Sequence, residues 1–319
     1  MNSGFRRDIA WAGTAACLLE AAAPKVGNVN RLHDFADCRL EDFLLSGATI
    51  GEPLGWAGGR GVGETVLEAV LLTRQLGATN TNLGIILLTA PLAKAWGKAV
   101  PAGGRWRPTT DKQAVRGALA AEMAKVLTSL TAEDARLVYQ AIRLAAPGGL
   151  GQPAAGDVNR EDRPAITLLA AMALAAERDL IAREYASGFK IILDSGLPLL
   201  EQALGQGLAL PEAIAHAQIG LLSRYPDTLI ARKAGAAASA EVQARARVVW
   251  ESGGWGGGDG RTKAADFDRW LRQGGNRLNP GTTADILTAV IFVLLLEDGP
   301  ALWRQTRRTG KPAAQTDRS

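Results

Sequence analysis

NPGTTADILTAVIFVLLL, residues 279–296, decides the reading of this 319-residue chain. Asn279 is expected as a helix cap and Pro280 as the first helical residue, where a missing N–H is no loss and a fixed φ suits the turn. From Ile286 to Leu296 the run is apolar except for Thr288. It is well short of a bilayer span, and it is apolar all round, as in a helix buried on every side. Asp285 sits more than a turn inside that helix. A carboxylate there needs a cation, a metal or a ligand hydroxyl, because burying an unpaired charge is costly. The competing reading is a structural pair with an Arg or Lys.

A second apolar helix follows ATNTNLGIILLTAPLA, residues 78–93, and is expected over 81–96 as the buried partner of the first. Asn80 or Thr81 explains its start as a cap. Asn82 and Gly84 need no such role, and free amides at a buried helix start favour an anion. Around this pair, 8–23 is Ala-rich and ends at Pro24, while 61–76, 111–127 and 131–145 show helical spacing. Thr131 opens T-A-E-D, with Asp134 at the capping-box position. Residues 164–189 read as one long amphipathic helix opened by Pro164. Shorter helices follow at 190–204, 211–222, 226–234 and 239–252. Loops are expected at 51–63, 100–110, 146–162 and 252–262. The glycine-rich SGGWGGGDG, 252–260, follows no strand and precedes no Gly-Lys-Ser/Thr, so it reads as a flexible flap in preference to a phosphate loop. No strand alternation or βαβ rhythm is visible. The expectation is an all-α single helical domain over 1–298 with buried central helices, then a basic, flexible C-terminal tail over 299–319.

Composition sets the outer limits. The chain is 47% hydrophobic and 21% charged, which suits a folded core. Aromatics are only 5%, which disfavours a β-sandwich. The net charge of +4 is carried entirely by Arg304, Arg307, Arg308, Lys311 and Arg318 against Asp317. The rest is neutral and gives no sign of nucleic-acid binding. Cys17 and Cys38 form no disulfide framework, and with only His33 and His216 a zinc site of several His and Cys ligands is not expected. Two arginines near the start precede no sustained apolar run. A cytoplasmic protein away from the membrane is expected.

Two further segments place polar groups oddly. In PKVGNVNRLHDF, residues 24–35, Asn28, Asn30, Arg31, His33 and Asp34 crowd a loop with one glycine. Glu20, in the last turn before Pro24, opposes the helix dipole, and Lys25 is the cation that would offset it. In SRYPDTLIARKAG, residues 223–235, Pro226 and Asp227 open a short helix. Arg232 and Lys233 close it where the dipole alone would favour cations. Asp157 and Asp179 are weaker candidates, a surface ion pair with Arg178 or Arg183 being the default for Asp179.

Taken together, LLEAAAPKVGNVNRLHDF (18–35), GATNTNLGIILLTAPL (77–92), RDLIAREYASGF (178–189), ARKAG (231–235) and NPGTTADILTAVIF (279–292) resemble the triphosphoribosyl-dephospho-CoA synthase family in order along the chain. The resemblance implies an all-α transferase that releases adenine from ATP. It joins the triphosphoribosyl unit through an α linkage to a ribose hydroxyl of dephospho-CoA. It implies Mg²⁺ held by Glu20, Asp34 and Asp285, which are also the catalytic carboxylates, with His33 an alternative base. Lys25, Arg232 and Lys233 would hold phosphates. Asn28, Asn30, Asn80 and Asn82, with Thr81, Asn279 and Thr282, would line the substrate. The lyase-associated synthases read Lys-Pro-Gly-Leu-Val-Asp where this chain reads KVGNVNR, and Asn-Thr-His-Lys-Gly where it reads NTNLG. This variant is similar to members from archaea and from bacteria with tetrahydromethanopterin-type chemistry. A pterin-type acceptor with phosphoribosyl pyrophosphate as donor is therefore the alternative reading. A non-catalytic nucleotide-binding protein is a third, and an Ala-rich helical surface permits a homodimer.

Overall fold

The computed structural model describes residues 3–75, 81–100, 111–145 and 166–303. In chain order their helices are α1 (Ser3–Ala22), α2 (Leu40–Trp56), α3 (Val62–Gln75), α4 (Leu83–Ala99), α5 (Lys112–Thr128), α6 (Ala132–Ala145) and α7 (Leu168–Ala175). Then follow α8 (Leu180–Ser187), α9 (Leu197–Gly205), α10 (Leu210–Arg224), α11 (Thr228–Ala234), α12 (Ala236–Glu251), α13 (Gly260–Arg272) and α14 (Gly281–Asp298). The described residues contain no strand; Asn30–His33 and Phe35–Cys38 are isolated bridges. The fold is all-α.

As expected from their all-round apolar patterns, α4 and α14 are buried along almost their whole length and pack on each other. They run through the main core, which also takes in α1–α3 and α5–α10. A smaller core joins Val26, Ile219, Ile230, Val242, Phe267 and Leu271 beneath α12 and α13. The capping box is present: Asp134 Oδ2 accepts from Thr131 N at 2.9 Å and Asp134 N donates to Thr131 Oγ1 at 3.1 Å. The short Asp suits because its other oxygen accepts from Gly63 N, 2.8 Å away at the start of α3.

Three expectations are corrected. Residues 40–56 form a helix, although 51–63 reads as loop from its glycines and Pro53. Gly47, Gly51 and Gly55 recur every fourth residue on the face toward α1. A Cβ at Gly51 would come within 2.6 Å of Ala10 O, and one at Gly55 within 2.8 Å of Arg6 O. Close packing of two backbones thus overrides poor helix propensity. The single helix expected over 164–189 is two, because the Asp179 carboxylate caps a new start, accepting from Ile181 N at 2.8 Å and Ala182 N at 3.1 Å. The glycine-rich stretch before α13 takes a defined turn. Gly253, Gly254 and Gly258 take left-handed φ of 100°, 56° and 48°, and Trp255 N donates to His216 Nδ1 at 3.2 Å. Lastly, α13 fills 260–272, where no helix was expected.

No described helix is long and apolar enough to cross a membrane. The loops expected at 100–110 and 146–162, with Asn80, Asp157, Pro164 and residues 304–319, lie outside the described residues or nearly so.

Candidate active site

The site is built where α4 and α14 begin. Asp285 lies on the second turn of α14, against the first turn of α4: a Cβ on Gly84 would fall 2.5 Å from Asp285 Cγ and nearer still to Oδ2. Part of Asp285 reaches the surface, while its carboxyl group lies among neighbours that desolvate it. Burial, then the charges of Glu20 and Asp227, raise its pKa well above the carboxylate range; the Arg232 guanidinium acts the other way.

Asp227 fixes the frame. It is fully buried, and its Oδ1 accepts from Leu229 N and Ile230 N at 2.9 and 3.1 Å, capping α11. Its Oδ2 accepts from Thr283 N at 2.7 Å and Thr283 Oγ1 at 2.8 Å, so the same carboxylate caps α14. This corrects the expectation that Asn279 caps α14. The cap position is Pro280, and the capping oxygen comes from another helix. Each such cap is worth about 0.5–2 kcal/mol. Thr282, also buried, accepts from Leu229 N at 3.1 Å. Together these bonds lock the element carrying Arg232 to the one carrying Asp285.

Arg232 Nη1 donates to Asp179 Oδ2 at 2.9 Å, so Asp179 both caps α8 and pairs with α11; its partner is not the neighbouring Arg178 or Arg183. Lys233 is exposed and its ammonium reaches Asn276 at 3.4 Å. Glu20 and Lys25 form a buried ion pair at 3.0 Å, as the opposed dipole led one to expect. Desolvation raises the Glu20 pKa and lowers that of Lys25, each countered by its partner. The Lys25 ammonium also donates to Val29 O at 3.2 Å. Its first duty is therefore to hold the α1 end together.

The asparagines turn inward. Asn28 donates to Asn279 Oδ1 at 2.5 Å and Pro280 O at 3.4 Å, and accepts from Gln218 Nε2 at 2.6 Å. Asn30 donates to Lys25 O at 2.8 Å and accepts from Leu32 N at 2.9 Å. Asn82 occupies the α4 cap position but caps nothing with its side chain; its amide donates to Ser46 O at 3.1 Å and Thr73 Oγ1 at 3.0 Å. Thr81 pairs with Ser46 Oγ at 2.6 Å rather than capping α4. His33 and Asp34 are exposed on the loop before α2. His33 Nε2 lies 3.9 Å from Asp268, and Asp34 Oδ1 accepts from Leu40 N at 2.9 Å.

What converges is therefore Glu20 and Asp285, two desolvated carboxylates whose charges oppose each other, with Lys25 and Arg232 beside them. Among the described residues no group of three or more His, Cys, Asp or Glu side chains could hold a metal ion. Two carboxylates nevertheless fit Mg²⁺, which is usually bound by one or two together with substrate phosphates and water. A separate cavity of about 340 Å³, lined by Gly61, Lys94, Thr131 and Asp134, lies near the other end of α4. Lys94 is roughly 15 Å along the helix from Gly84. Gln218 and Asp227 escaped the sequence reading as site-builders. Gln218, polar in the apolar run of α10, carried the same signal that exposed Asp285.

Fold and site define a class: an all-α protein in which a desolvated carboxyl sits where α4 and α14 begin, with cations supplied from just after α1 (Lys25) and from the last turn of α11 (Arg232). Helix-start amides and cations together suit a polyanionic ligand. Residues 6–303 match the CitG family, described as ATP:dephospho-CoA triphosphoribosyl transferase, and the chain belongs to that family. It is similar to a 2-(5''-triphosphoribosyl)-3'-dephosphocoenzyme-A synthase of Pseudomonas fluorescens, 33% identical over 122 residues. The match covers 38% of this chain and 41% of the relative. The Stutzerimonas stutzeri counterpart is 32% identical over 113 residues, 35% of this chain and 38% of the relative. The alignments thus span about two fifths of these curated relatives. A crystal structure of a triphosphoribosyl-dephospho-CoA synthase from Archaeoglobus fulgidus shares 27% identity, covers 80% of this chain and 98% of its own, and superposes with a TM-score of 0.57.

Proposed function

We propose that the protein transfers the triphosphoribosyl group of ATP, with release of adenine, to a ribose hydroxyl of dephospho-CoA. Family membership supports the substrates; the observation that carries the site is the Asp285 carboxyl set among helix starts. In the reaction the C1′–N9 bond of ATP breaks, its electron pair leaving with adenine, and a C1′–O bond forms to the acceptor. The acceptor hydroxyl gives up one proton and departing adenine takes one. Because the β-linked base is replaced by an α linkage, the two proton transfers fall on opposite faces of the ribose, and the Asp285 carboxylate would serve one of them, accepting from the attacking hydroxyl. In its ionised form the same carboxylate stabilises positive charge on the ribose ring in the transition state.

Arg232, held by Asp179, and Lys233 face the solvent side of α11 and would bind phosphate oxygens. Lys25 would act through Glu20 from its buried position. Glu20 and Asp285 would hold Mg²⁺, which would neutralise phosphate charge when bound. Asp34, capping α2, is left out of that set. Asn28, Asn30 and Asn82 shape the walls instead of contacting substrate.

A second reading keeps the fold and changes the substrates: phosphoribosyl pyrophosphate as donor and a pterin-type acceptor. Asn82 and Leu83 favour it. They stand where the lyase-associated synthases carry His and Lys, and both are buried, Asn82 with its amide turned into the protein. Supplying each donor and acceptor pair with Mg²⁺ and weighing the adduct by mass spectrometry separates the two. The triphosphoribosyl adduct of dephospho-CoA is expected. A phosphoribosyl-pterin adduct alone would replace the first reading with the second.

A further inference from the structure

We propose that Gly84 is a positioning residue for the reaction: by lacking a side chain it forms the seat on α4 in which the Asp285 carboxylate rests. The proposal builds on the reading of Asp285 as the reacting carboxylate. Gly84 lies in the first turn of α4 and its φ is not in the left-handed region, so the backbone does not call for glycine. Glycine inside a helix is ordinarily worse than alanine. Here an alanine methyl would overlap Asp285 Oδ2, lie 2.5 Å from Cγ, and meet Ile181 Cδ1 at 2.7 Å from α8.

The carboxylate has no easy retreat. Thr282 and Thr283, one turn back on α14, are bonded to Leu229 N and to Asp227, which holds that helix end against α11. The charge of Glu20 also bears on Asp285. A methyl at 84 would instead drive the Asp285 side chain off its rotamer and away from its place against the first turn of α4. Small displacements of a reacting group cost about 100-fold in rate.

The test joins kinetics to a double-mutant cycle in urea unfolding with Gly84→Ala, Asp285→Ala and the pair. Gly84→Ala is expected to fold with a lowered unfolding midpoint. In the Asp285→Ala background, where the methyl has lost its nearest obstacle and meets only the flexible end of Ile181, the same change should lower the midpoint much less or raise it. In the otherwise unaltered protein kcat should fall about 100-fold, by more than any rise in KM for ATP, since the displaced carboxylate counts most in the transition state. A Gly84→Ala variant with kcat near the parent value, or an additive cycle, would overturn the proposal. Should the parent release no adenine from any donor while the cycle shows coupling, the seat stands and the functional reading falls instead.

Discussion

At the scale of single residues, Asp285 carries the heaviest prediction. Asp285→Asn removes a desolvated charge without changing shape, so its melting temperature should match or exceed the parent's. Turnover should fall by about 10²–10⁴-fold, as expected for loss of a general acid–base group; retained turnover with intact folding would remove Asp285 from the chemistry. Glu184 gives a second. It is fully buried between α8 and the turn after it, accepts from Ile191 N and Ile192 N at 2.9 Å each, and burial lifts its pKa from 4.5 to about 7. The folded protein then keeps a proton that the unfolded chain releases. Stability therefore falls as pH rises from about 4.5 to 7, on the order of 3 kcal/mol in all. Urea unfolding across that range should show the decline, and Glu184→Gln should flatten it; an equal slope in both would refute the assignment. Asp285 and the Glu20–Lys25 pair were legible because each breaks an apolar or dipole rule within its own segment. The inward bonds of Asn28 and Asn82 were not legible, because their partners, Gln218, Ser46 and Thr73, lie far away in sequence.

At the scale of elements, the same division holds. The two central helices declare themselves through uninterrupted apolar sequence. The second helix is hidden, since its three glycines and Pro53 argue against a helix until α1 is laid on them. Gly51→Ala tests this: its methyl would press on Ala10 O and on Thr14 Oγ1. Overpacking of this kind should cost about 1–3 kcal/mol, read as a lower unfolding midpoint with unchanged slope. A neutral or stabilising result, the usual outcome for Gly→Ala on a free helix face, would mean that α1 and α2 are not in such contact. The break at Asp179 was likewise invisible, because that carboxylate serves a helix start and an arginine from another helix at once.

For the whole molecule, helix content and central pair follow from composition and periodicity, while the assembly of the site does not. Glu20, Arg232 and Asp285 come from three helices separated by most of the chain, and no local pattern announces their meeting. Motif order along the chain did announce it, through the family resemblance, without saying which polar residues face the ligand and which face the core. The central claim is that this convergence transfers a triphosphoribosyl group. Its most direct test is adenine release from ATP and Mg²⁺ by the purified protein, followed by chromatography with and without dephospho-CoA. Adenine that forms only with dephospho-CoA, matched mole for mole by the triphosphoribosyl adduct and abolished in Asp285→Asn, is the predicted result. Absence of adenine under both conditions, from a folded protein, would contradict the account.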